Sequence, residues 1–101
     1  MISVLASIQL HEGERAAFLE IINANVPEVR QESGCIEYFP AVDIDSGLPV
    51  QRLEANTVTV IEKWESLEAL RAHLATPHML EYKEKVKDLV KDLSLKVLQV
   101  A

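Results

Sequence analysis

The period at which apolar side chains recur switches back and forth along this chain, and that switching constrains the fold more than any single residue does. Residues 1–10 (MISVLASIQL) set Ile2, Val4, Ala6, Ile8 and Leu10 at period two against Ser3, Ser7 and Gln9, the pattern of a half-buried strand. From Glu14 to Gln31 the spacing becomes three and four, with Phe18, Ile22, Val26 and Val29 on one face, which predicts a helix. Pro27 lies inside that pattern without a backbone donor, so a bend or early stop is expected near Ala24 to Val26. Ser33-Gly34 ends the helix, and Cys35 to Phe39 reads as a second strand. Asp45, Ser46, Gly47 and Pro49 make the stretch from Asp43 to Asn56 a long connection. Thr57 to Trp64 (TVTVIEKW) is dominated by β-branched residues and places Val58, Val60, Glu62 and Trp64 on one face of a third strand.

Ser66 is suited to cap a short helix over 67–75, whose Leu67, Leu70 and Leu74 form an apolar stripe. Thr76-Pro77 then restarts a helix, with Thr capping and Pro in the first turn. That helix is expected to run to about Lys91, with Met79, Tyr82, Val86, Leu89 and Val90 inward, and the alternation from Leu93 to Val100 predicts a final strand. The order β-α-β-β-α-α-β is a split βαβ arrangement. It predicts a ferredoxin-like α+β fold with a four-stranded antiparallel sheet and its helices on one face.

At 101 residues the chain holds one domain, 1–101, so any function must fit in one core or between copies. The open face of the sheet is expected to carry several apolar residues from strands one and four, which predicts a homodimer packed sheet to sheet. Ten Lys plus Arg against sixteen Asp plus Glu give a net charge of −6, which argues against nucleic acid and anionic membranes as partners. The first residues show neither a basic leader nor a long apolar run, so a cytoplasmic location is expected. The single cysteine, Cys35, reads as a small buried hydrophobe.

Three glycines, Gly13, Gly34 and Gly47, are too few for a phosphate-cradling loop or a dinucleotide fingerprint. His73 and His78 stand five apart across a Thr-Pro break, unlike the spacing that puts two imidazoles on one helical face, so no metal site is expected. What remains is a set of polar and aromatic residues on apolar elements: Tyr38, Glu62, Trp64, His73, His78 and Tyr82. A carboxylate pointed at a core needs a partner or marks a site, and an indole can wall an aromatic-ligand pocket. His78 falls in the first turn of its helix, where the helix field favours the neutral, proton-accepting imidazole. Each also has a simpler structural reading: a rim ion pair for Glu62, core packing for Trp64, and surface or capping hydrogen bonds for the histidines.

Three pieces of the chain carry a resemblance: Glu32-Ser33-Gly34-Cys35-x-x-Tyr38, Glu62-Lys63-Trp64-Glu65-Ser66, and Ala72-His73-Leu74-x-Thr76-Pro77-His78-Met79 with Tyr82. Together they resemble the antibiotic biosynthesis monooxygenase family, and within it the small bacterial quinol monooxygenases. The resemblance implies a dimeric α/β-barrel and oxidation of a small aromatic substrate by O2 with no cofactor. It implies His73 as base, His78 and Glu62 as further catalytic groups, and Trp64, Tyr38, Met79 and Tyr82 as substrate-binding residues. Where haem-degrading relatives would carry a Trp and a His, this chain carries His73 and Lys83. Two other functions fit the same residues: a dimeric binding module for a small aromatic or carbonyl compound, and an isomerase acting on a small keto substrate.

Overall fold

A computed structural model describes residues 1–101. The chain forms β1 (Ile2–Leu10), α1 (Arg15–Arg30), β2 (Cys35–Ala41), β3 (Thr57–Trp64), α2 (Leu67–Leu74), α3 (Pro77–Val86) and β4 (Val90–Leu98). The strands make one antiparallel sheet in the order β2-β3-β1-β4, the expected ferredoxin-like α+β architecture. β1 lies between β3 and β4, with Val4 opposite Glu62 and Val97, and Ala6 opposite Val60 and Leu95. The core forms where Val4, Ala6, Ile8, Val58 and Val60 meet Phe18, Ile22, Val26 and Val29 of α1 and Met79, Tyr82 and Val86 of α3.

Three local expectations are corrected. α1 is not stopped before Pro27 but runs through it to Arg30. Pro27 and Asn23, whose carbonyl loses its helical partner, are both exposed, so water can take the missing bond while Val26 and Val29 stay buried. α3 ends at Val86 rather than near Lys91, because Leu89 turns back onto Val86 and Val90 already pairs with Leu10. Leu89 and Val90 therefore belong to a turn and a strand start, not to a helix face.

The third correction concerns β4. By their register opposite Val4, Ala6 and Ile8, the residues Val97, Leu95 and Leu93 point to the helix side, yet no helix covers them there. Leu93 and Leu95 are 53% and 51% exposed. The open face of the sheet instead draws its apolar character from Leu5, Phe39, Ile61 and Leu98, one from each strand. No helix is long and apolar enough to cross a membrane.

Candidate functional site

β3 alternates in and out, so Glu62 and Trp64 both enter the helix side of the sheet. Trp64 is fully buried, and its Nε1 donates to Glu62 Oε1 at 2.9 Å. Glu62 is 7% exposed. Burial raises its carboxyl pKa to about 7, opposed by the indole hydrogen bond and reinforced by the nearby Glu32 charge. Glu62 therefore has the indole as its partner, not the rim cation of the simpler reading.

Two capping side chains set the histidines. Ser66 Oγ accepts from Ala69 N at the start of α2, and Thr76 Oγ1 accepts from Met79 N at the start of α3. The break between these helices turns His73, at the end of α2, and His78, in the first turn of α3, toward the same point. That point is Glu32, in the turn between α1 and β2. His73 Nδ1 lies 2.9 and 3.1 Å from its two carboxylate oxygens, and His78 Nε2 lies 2.6 Å from Oε2. An ionised carboxylate only accepts, so the network assigns a proton to each facing imidazole nitrogen.

Gly34 makes this reach possible. Its φ is +86°, and a Cβ placed on it would stand 2.5 Å from Ala69 Cβ, so the turn bearing Glu32 lies directly against α2. Gly34 O also accepts from Glu65 N at 2.9 Å.

The His73 ring is packed at a centroid distance of 4.6 Å against Trp64 and 5.5 Å edge-on against Tyr38. It is 2% exposed. Burial lowers its pKa, and the charges of His78 and Lys83 push the same way, against the hydrogen bond and negative charge of Glu32. Nδ1 is thus occupied by Glu32, and Nε2 has no partner within the chain.

A cavity of about 440 Å³ opens beside this ring, between the sheet and α3. Tyr38, Glu62, His73, Met79 and Tyr82 line one part, and Ala6, Ile8, Val60, Leu93 and Leu95 make an apolar floor along the sheet. Lys83 on α3 and Lys87 just beyond its end, both exposed, complete the rim. The Tyr38 and Tyr82 hydroxyls bond to nothing in the chain, yet no sealed side-chain N or O is left without a partner, so both remain open to a ligand. Burial, with the Glu62 charge nearby, raises both phenols well above their ordinary range, which keeps them as donors.

Five of the seven residues singled out from the sequence thus share this wall: Tyr38, Glu62, His73, Met79 and Tyr82. Trp64 stands behind it, supporting His73 and Glu62 rather than touching the cavity. His78 also lies outside, where it lines a surface groove between α1 and α3 with Ile21, Glu81 and Lys85. Glu32 was not singled out for chemistry: its only sequence signal is the Glu-Ser-Gly run before Cys35. Lys83, Lys87, Leu93 and Leu95 were likewise missed as cavity residues. No group of three or more His, Cys, Asp or Glu side chains converges in a geometry able to hold a metal ion.

The family model described as antibiotic biosynthesis monooxygenase matches residues 1–85. The chain is 40% identical over 101 residues to "Probable quinol monooxygenase YgiN" of Escherichia coli (strain K12), covering 98% of this chain and 97% of that one. Among solved structures, SO0527 from Shewanella oneidensis is 28% identical with a TM-score of 0.81, covering 96% of this chain and 87% of the other. PA3566 from Pseudomonas aeruginosa is 25% identical with a TM-score of 0.82, covering 99% and 94%.

Proposed function

This chain belongs to the antibiotic biosynthesis monooxygenase family, and from that premise we propose that it oxidises a quinol or related small aromatic compound with O2, without a cofactor. The family and the name carried by the relative at 40% identity support a monooxygenase role. One observation carries the finer reading: a largely apolar cavity places a buried imidazole, its pKa lowered by burial, beside two tyrosine hydroxyls that nothing else in the chain engages.

A quinol is electron-rich enough to act as its own reductant once a phenolic proton is removed. His73 Nε2 takes that proton as base, and the resulting anion passes an electron to O2. Tyr38 and Tyr82 donate hydrogen bonds to the charge that develops on oxygen, where the apolar floor excludes competing water. A second electron and proton passing from the semiquinone to superoxide yields quinone and hydrogen peroxide; radical recombination instead forms a carbon-bound hydroperoxide that loses water to give a hydroxylated quinone. Trp64 holds the His73 ring in place, and Met79 gives the wall an adaptable thioether.

The decisive experiment is oxygen uptake with menadiol, measured against the spontaneous rate. Uptake above background that disappears in His73→Ala supports the reading; uptake equal to background across a panel of quinols rejects it. The presence of Glu62 in the same cavity favours one second reading, proton transfer on a small keto substrate, and turnover under strict anaerobiosis distinguishes it. The open face of Leu5, Phe39, Ile61 and Leu98 supports a homodimer packed sheet to sheet.

A further inference from the structure

We infer that Glu32 is the positioning residue for the His73 base, and that His78 serves by holding Glu32 rather than by meeting substrate. The inference rests on the reading of His73 as the base.

His73 could present either ring nitrogen to the cavity, and only one tautomer leaves a lone pair there. Both oxygens of Glu32 lie within hydrogen-bond distance of Nδ1, at 2.9 and 3.1 Å, so Nδ1 carries the proton and Nε2 is left as the acceptor. The same carboxylate compensates the imidazolium that forms when Nε2 takes a phenolic proton. Its side chain is 10% exposed, and besides His73 it is held by one further side chain, His78, whose Nε2 donates to Oε2 at 2.6 Å. Trp64 and Tyr38 fix the plane of the His73 ring, and Glu32 fixes which nitrogen is protonated. The chain His78–Glu32–His73 thus runs from a half-buried helix start to the cavity wall. His78 has no place in the cavity lining, which agrees with a supporting role.

The test reads the tautomer directly. In the full-length protein, long-range ¹H–¹⁵N correlation spectra of the His73 ring are expected to show a protonated Nδ1 and a pyridine-type Nε2. A protonated Nε2 in the unsubstituted protein overturns the inference whatever the activity, and needs no variant to fold. In Glu32→Gln the amide keeps the shape but loses the charge. With menadiol, kcat is expected to fall about 100-fold, with KM within about twofold. Glu32→Asp, which keeps the charge on a shorter arm, is expected to recover part of kcat. Unchanged kcat and an unchanged ring spectrum in Glu32→Gln overturn the inference. If no quinol is turned over at all while the ring spectrum is as expected, the quinol reading fails and the positioning of His73 by Glu32 stands.

Discussion

Glu62 and Trp64 are two residues apart on β3, and the Trp64 indole donates to the Glu62 carboxyl at 2.9 Å inside the core. This bond is the only hydrogen bond that the Glu62 carboxyl makes within the chain, so the charge state of this carboxyl bears on both stability and the character of the cavity.

The first prediction concerns pH. Because the folded-state pKa of Glu62 lies at about 7, above the ordinary 4.5, the native state holds a proton that the unfolded chain releases. The stability it contributes is fully present below about 4.5 and is lost as pH rises toward and through 7. That difference amounts to at most roughly 3 kcal/mol. Glu62→Gln is expected to be more stable than the parent at pH 8 by up to this amount and no more stable near pH 4. Urea denaturation at the two pH values decides it.

Trp64→Phe keeps the aromatic volume behind His73 but removes the donor. The cost is expected at roughly 1–3 kcal/mol at pH 8, where a buried charged carboxylate is left unpartnered. At pH 5, with Glu62 protonated, the loss should be smaller. Equal losses at both values would place the Trp64 effect in packing alone.

His73→Ala is expected to lower kcat with menadiol by about 10²- to 10⁴-fold. Since burial lowers the His73 pKa from its ordinary 6.5, the neutral base persists below that value, and activity should fall only as pH drops through the lowered pKa. An acid limb centred near 7 would instead assign the base to Glu62. The background oxidation at each pH must be subtracted.

Gly34→Ala places a methyl against Ala69 in a backbone conformation with φ of +86°. The overlap is expected to cost roughly 1–3 kcal/mol, with further loss from the strained φ, and to move Glu32 away from α2. Thermal unfolding should show the drop, and the double variant with Ala69→Gly should recover the steric part only.

Sedimentation checks the open face. The parent is expected at twice the chain mass, and Phe39→Asp, which sets a charge amid Leu5 and Ile61, at the chain mass. A monomeric parent would remove the sheet-to-sheet dimer from consideration.

The elements of the fold were legible because each writes its own period. β3 was bounded from Thr57 to Trp64 by its β-branched residues and the period-two face of Val58, Val60, Glu62 and Trp64, and the caps at Ser66 and Thr76 located both short helices. The errors fell where a long-range partner overrode a local pattern. Leu89 and Val90 continue a helical stripe, but backbone pairing with Leu10 and His11 ends the helix first. Pro27 argues locally for a stop, yet buried Val26 and Val29 hold the last turn in place.

Residue types and spacings along the sequence were enough to nominate His73, Glu62, Tyr38 and Tyr82, because a polar or aromatic group on an apolar face is visible without any partner, while Met79 entered only through the resemblance to a known family. Only the tertiary structure decided that Glu32 meets His73 across 41 residues and His78 across 46, and that Trp64 supports the wall instead of forming it. A hydrogen bond between distant segments depends on how closely two backbones approach, here through the missing side chain of Gly34, and that distance is a property of packed elements that no local period encodes.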